Sequence, residues 1–228
     1  MDLKKKLENV NDRIYKAALK CSRDPESIHL VAVSKTIPAN RVKEAIELGV
    51  TILGENYVQE ARSKFNVLGT YPVSWHFIGH LQTNKAKYAV RLFDLIHTVD
   101  TLKLATELDK QAKKINKFQD ILIQINVSKE PSKSGSDMEN ATNLIKDIVL
   151  FKNLSVKGLM AMPPFFNKPE KARPYFITLR NLRDQIRKDL PGVALDELSM
   201  GMTGDFEVAI EEGATFVRIG TAIFGERR

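Results

Sequence analysis

Leu3, Leu7, Val10, Ile14, Ala17 or Ala18, and Cys21 recur at three- and four-residue intervals, with charged and polar residues between them. That spacing places them on one face of a helix, and Asp24-Pro25 is the stop signal that follows. Beyond it, apolar runs rich in Val, Ile and Leu alternate with stretches of helical periodicity. The runs at 28–35, 51–55, 74–79, 95–99, 120–127, 156–161, 197–201 and 216–224 predict strands. The stretches at 38–48, 56–67, 84–93, 101–115, 136–150, 168–188 and 205–212 predict helices, with Gly49 closing one and Pro191-Gly192 closing another. No linker rich in proline, glycine or serine divides the chain, and no low-complexity tract interrupts it.

Eight strands alternating with helices in 228 residues predict an α/β fold, a closed (β/α)8 TIM barrel. One domain over 1–228 is expected, with the 1–24 helix packed outside the barrel. A doubly wound open sheet would normally place a glycine-rich turn after its first strand, where this chain has Lys35-Thr36-Ile37-Pro38. In a barrel the chemistry sits at strand C-terminal ends. Those ends are Lys35, Glu55-Asn56, the run from Trp75 to His80, Asn126 with the loop 132–135, Met160 to Pro164, Ser199 to Asp205, and Val217 to Ala222.

Charge changes this picture little. Lysine plus arginine exceeds aspartate plus glutamate by 35 − 28 = 7, and the pI is about 9.4. Such a surplus suits nucleic acid or phosphorylated ligands. The basic residues are scattered among acids, as in Arg41-Val42-Lys43-Glu44, without a stripe or interleaved aromatics, so no nucleic-acid partner is expected. No apolar stretch approaches the roughly 18 residues of a membrane span, and the lysines after Met1 lead into no secretory apolar core. A single cysteine, Cys21, fits a reducing cytoplasm, and the four histidines show no structural zinc spacing, so no metal is expected.

Lys35 closes the run His29-Leu30-Val31-Ala32-Val33-Ser34-Lys35. A lysine at that point is directed into the pocket that the strand ends surround, where apolar walls favour a neutral, nucleophilic amine. A lysine that merely snorkels at a strand end is the alternative. Ser199, Thr203 and Thr221 bring hydroxyls to the last two strand ends, with glycines and a helix start after Thr203, as a phosphate cradle would. A tight turn with a helix capped by Thr203 or Asp205 reads equally well there. Lysine and cradle together suit a phosphorylated aldehyde held as a Schiff base, either pyridoxal phosphate or the sugar-phosphate substrate of an aldolase. His76 and His80 stand four apart, which suits a metal pair on a helix. The surrounding pattern is strand and turn, which suits a polar contact at the barrel mouth. Met160 and Met162 are expected in barrel core and cofactor wall. Lys133 is either a solvated lysine or a gate for an anionic cofactor.

Ala32-Val33-Ser34-Lys35-Thr36, Gly54-Glu55-Asn56-Tyr57-Val58-Gln59-Glu60, His76-Phe77-Ile78-Gly79-His80-Leu81-Gln82, Gly158-Leu159-Met160-Ala161-Met162, Ser199-Met200-Gly201-Met202 and Arg218-Ile219-Gly220-Thr221-Ala222-Ile223-Phe224-Gly225 occur in that order. In these runs the chain resembles the pyridoxal phosphate homeostasis proteins, single-domain barrels related to the N-terminal domain of bacterial alanine racemase. The resemblance implies a fold-type III cofactor barrel with Lys35 as the Schiff-base lysine. It implies Thr203, Gly220 and Thr221 as phosphate ligands, with Ser199, Met200 and Met202 on the same wall and Asn56 at the ring hydroxyl or the loop beside it. Arg218 would face the pyridine nitrogen, against the plainer reading of an ion pair to Asp205 or Glu226. Thr203-Gly204-Asp205 departs from the family's Ser-x-Asp but keeps the hydroxyl. The implied role is a cytoplasmic, monomeric carrier of pyridoxal phosphate whose recipients are cofactor-free enzymes, with a weak amino-acid racemase as the alternative. Efficient racemisation needs a second acid/base, which two-domain racemases take from a further domain that this sequence is expected to lack.

Overall fold

The computed structural model describes residues 2–128, 130 and 134–226. Helix α1, Leu3–Lys20, buries Leu3, Leu7, Val10, Ile14, Ala17 and Ala18. The Asp2 carboxylate accepts the Lys5 N–H at 2.9 Å and satisfies one orphan amide of the first turn. Asp2→Ala is therefore expected to lower the thermal midpoint by roughly 2–4 °C, measured by circular dichroism. The helix ends earlier than Asp24-Pro25 predicts, at Cys21, and Ser22 turns the chain with φ 56°. Asp24 instead caps a short 3-10 turn, Pro25–Ser27.

The strands are β1 His29–Val33, β2 Ile52–Glu55, β3 Ser74–Phe77, β4 Leu95–Val99, β5 Gln119–Gln124, β6 Leu154–Met160, β7 Glu197–Met202 and β8 Phe216–Ile219. Each pairs in parallel with its sequence neighbour, and β8 returns to β1 with Val31 opposite Arg218, which closes the barrel. The intervening helices are α2 Ala39–Glu47, α3 Val58–Leu68, α4 Ala86–Leu92, α5 Leu102–Lys113, α6 Met138–Ile148, α7 Arg173–Asp189 and α8 Phe206–Glu211. The fold is the (β/α)8 barrel that the alternation predicts. α1 lies outside it against α8, and Arg13 pairs with Glu207 at 2.6 Å across that contact.

Two boundaries differ where the chemistry lies. The run 216–224 is not one strand: β8 stops at Ile219, and Thr221–Phe224 forms a short helix, α9, that packs on α1. Ile223 is buried there, so an apolar run that ends in a helical turn reads as strand by composition alone. β1 stops at Val33, which leaves Lys35 in the turn that follows.

The core has two layers. Leu53, Phe77, Ile96, Ile121 and Leu198 point outward into the layer between sheet and helices. A smaller cluster of Val31, Leu95, Leu122, Met160 and Phe216 fills the barrel interior. The interior is not wholly apolar: His76, His97, Ser199 and Arg218 are buried as well. Among the described residues no cluster of His, Cys, Asp or Glu could hold a metal ion, and no helix is long and apolar enough to cross a membrane.

Candidate functional site

A cavity of about 260 Å³ opens at the C-terminal ends of the strands, lined among others by Lys35, Asn56, Thr203, Arg218, Gly220 and Thr221. Lys35 reaches it from the β1 turn, half-buried. Thr203 and Thr221 approach from the loops after β7 and β8, and their hydroxyls lie 3.2 Å apart. The β7 loop is closed on itself by the Asp205 carboxylate, which accepts the Met202 N–H at 2.7 Å. Burial pushes the Asp205 carboxyl up, opposed by that amide and by the charge of Arg218.

Gly201 decides which methionine faces the cavity. Its φ of +89° is open to glycine and costly for other residues, and it interrupts the in-out alternation of β7. Met202 consequently lines the cavity, whereas Met200 is fully buried in the layer between sheet and helices. Met200 is thus not part of the cavity wall, contrary to the sequence expectation. Ser199 is displaced from that wall as well, because it points into the barrel interior below the mouth. Met160 belongs to the interior cluster and does not reach the cavity.

Arg218 is 3% exposed, and its hydrogen bonds run to the Ser199 hydroxyl at 2.6 Å and the Ala161 carbonyl at 2.9 Å. Among the described residues it forms no ion pair, to Asp205, Glu226 or any other. Burial draws its guanidinium down to about 10, with Asp205 opposing, so it stays protonated at neutral pH. The chain of contacts continues inward. His97 Nδ1 lies 2.8 Å from Ser199 Oγ, and His97 Nε2 lies 3.0 Å from His76 Nδ1. An arginine only donates, so the arrangement that uses each donor once runs from Arg218 through Ser199 and His97 to His76.

His76 is therefore placed deep in the barrel, and His80 is exposed on the loop beyond β3. The two do not share a face, because β3 ends at Phe77 and the chain turns at Gly79 before it reaches His80. His97 escaped the sequence reading. Its signal was position: it alternates with the outward Ile96 in a strand buried throughout, so a polar ring there must be partnered inside the barrel.

Asn56 lines the cavity from the end of β2, and its Oδ1 is buried without a hydrogen-bond partner. Gly79 fixes the adjacent backbone: a Cβ there would stand 2.2 Å from the Asn56 carbonyl oxygen. Met162 lines the cavity from the proline-bearing loop after β6, on the wall where the sequence places it, and Phe165 and Phe166 from the same loop extend that apolar wall with residues that the sequence reading did not assign. Their signal was two aromatic residues in a loop, where composition alone disfavours them. Lys133 lies outside the described residues.

A larger cavity of about 490 Å³ opens at the opposite end of the barrel, lined by His76 together with Asp94, Asp120, Lys157 and Glu197. Lys157 there is paired with Asp120 at 3.5 Å, and barrel chemistry belongs to the other face. The mouth cavity is the candidate site. Its amine, its two adjacent hydroxyls, its buried cation and the orphaned Asn56 oxygen fit a phosphorylated ring aldehyde.

The family model for the alanine racemase N-terminal domain matches residues 7–228. A pyridoxal phosphate homeostasis protein of Aquifex aeolicus is 46% identical over 228 residues, which covers 100% of both chains. The structure of PipY from Synechococcus elongatus with pyridoxal phosphate bound superposes with a TM-score of 0.87 at 32% identity, over 98% of this chain and 100% of that one. An alanine racemase of Clostridium difficile shares the fold alone, with a TM-score of 0.75 at 13% identity, and this chain covers 56% of its length. The chain belongs to the alanine racemase N-terminal domain family and, within it, to the pyridoxal phosphate homeostasis proteins.

Proposed function

We propose that this protein binds pyridoxal phosphate at the barrel mouth, attached through Lys35, and holds it for release or transfer in intracellular cofactor homeostasis. The observation that carries this reading is the meeting of Lys35 with the Thr203–Thr221 hydroxyl pair in one cavity. When bound, pyridoxal phosphate supplies an aldehyde that condenses with amines and a ring that accepts electrons. Thr203, Thr221 and the backbone at Gly220 would hold the phosphate, Asn56 the ring or its hydroxyl, and Lys35 the aldehyde carbon. Arg218 cannot accept a hydrogen bond, so it disfavours a protonated ring nitrogen and weakens that electron sink.

The cavity favours holding over turnover. Besides Lys35, its described titratable groups are Asp205 and Arg218, and both are engaged in hydrogen bonds. Racemisation needs a proton donor and acceptor on opposite faces of the substrate carbon. The mouth is also open: Phe165 is 82% exposed, which leaves an attached cofactor within reach of other amines. Recipients would be cofactor-free enzymes, and the carrier would act as a cytoplasmic monomer. With L-amino acids in deuterated water, α-proton exchange is expected far below the roughly 1 to 10³ per second of enzymes. Exchange with inversion at such rates would establish a racemase.

Several hydrogen bonds to a doubly charged group converge on the phosphate. Pyridoxal without its phosphate is therefore expected to bind at least about tenfold more weakly. Thr203→Ala with Thr221→Ala should weaken pyridoxal phosphate by about tenfold and leave the thermal midpoint nearly unchanged. Equal titration midpoints for pyridoxal and its phosphate would contradict this assignment.

A further inference from the structure

Lys64, on α3, is a buried lysine outside the cavity, with a side chain 7% exposed. Its ammonium donates to the Ser34 carbonyl at 2.5 Å, to Glu55 Oε1 at 2.6 Å and to Glu60 Oε1 at 2.8 Å. Glu55 Oε1 also accepts the Ser34 hydroxyl at 2.6 Å, and Glu60 Oε1 accepts the Thr36 N–H at 2.5 Å. The residues on both sides of Lys35 are thus tied to one ammonium. Thr36 has φ +64°, a left-handed conformation that a β-branched residue rarely adopts without outside restraint. Glu55 is fully buried with its Oε2 unpartnered, an arrangement costly for fold stability alone.

The geometry points to Lys64 and Glu60 as positioning residues for Lys35: they hold the Ser34–Thr36 turn so that the Lys35 amine meets an aldehyde in the mouth. The inference rests on the reading of Lys35 as the attachment point. In the step concerned, the amine nitrogen bonds to the aldehyde carbon and the aldehyde oxygen leaves as water, with no oxidant or reductant. A displacement of the amine by about 1 Å suffices to slow such a step by about 10²-fold.

Glu60 gives the cleaner test, because it is partly exposed and its removal leaves the buried Lys64–Glu55 pair intact. In the full-length protein, Glu60→Ala is expected to slow covalent capture of pyridoxal phosphate by about tenfold or more. Affinity for pyridoxine phosphate, which carries the phosphate but no aldehyde, should stay within about threefold. Glu60→Gln, whose amide oxygen still accepts the Thr36 N–H, should restore capture to within about threefold of the parent protein. Lys64→Met, where it folds, should match Glu60→Ala or exceed it. In cofactor-free protein, trace acetylation with mass spectrometry reads the reactivity of Lys35 directly, and Glu60→Ala should change it relative to exposed lysines. Unchanged capture and unchanged acetylation in Glu60→Ala would overturn the inference. So would an equal loss of pyridoxine phosphate affinity, which marks a collapsed mouth. A parent protein that never forms an adduct at Lys35 would instead refute the cofactor reading, and the acetylation result would still decide the clamp.

Discussion

Lys35→Ala is expected to abolish the borohydride-stable adduct and the visible absorption of bound pyridoxal phosphate altogether. Among the described residues, Lys35 is the lysine that lines the mouth cavity. Lys64 is nearby in sequence space but spends its three donors on Ser34, Glu55 and Glu60. Lys85 lines a different depression beside Tyr88, away from the strand ends. No described amine can therefore substitute at the same carbon. The proposed phosphate ligands, Thr203, Gly220 and Thr221, lie just after β7 and β8 and would act without the lysine, so weak, non-covalent binding of pyridoxal phosphate should persist in the variant. Reduction followed by peptide mass mapping makes the test. An adduct of undiminished yield on Lys85 or Lys133 would sink the assignment of Lys35.

The parts of this site that the sequence made legible are those that depend on strand order and strand ends. A parallel barrel places every strand C-terminus at one mouth, so residues far apart in sequence converge there once the alternation is recognised. Lys35, Asn56, Thr203, Arg218, Gly220 and Thr221 meet in the cavity for that reason. Misplaced residues depend instead on local backbone geometry. Met200 and Met202 differ only in lying on opposite sides of Gly201, and the positive φ of that glycine is what turns one outward and the other to the mouth. The α9 turn after Gly220 read as strand because Ala222, Ile223 and Phe224 are apolar in either state. Contacts inside the barrel were illegible for a third reason. Whether His97 meets His76 and Ser199 depends on strand stagger and tilt, which no single strand encodes.

That interior chain carries the second large expectation: folding stability should fall as the pH drops from about 6.5 towards 4. Burial pushes the His76 ring down to about 4 from 6.5, with Asp94 opposing and His29 adding to the fall. His97 is driven well below 6.5 by its burial, by His76 and by the charge of Arg218. Both rings are neutral in the folded protein, whereas the unfolded chain protonates them below about 6.5. In that window the unfolded state binds more protons, so stability rises with pH and is lost as pH falls. For His76 alone the full loss is roughly 3 kcal/mol by pH about 4. Glu55, Asp100 and Asp205 act in the opposite sense, because burial raises their carboxyl groups and the folded state takes up protons there. The histidine contribution is isolated by comparison with His76→Gln, which keeps an acceptor for His97 and leaves the carboxylates in place. The variant will be less stable at pH 7 because a packed ring is lost, but urea titrations should show the parent's advantage shrinking between pH 6.5 and 4. Parallel stability curves across that range would mean that His76 is protonated in the fold, and the directional chain from Arg218 to the far end of the barrel would then be wrong.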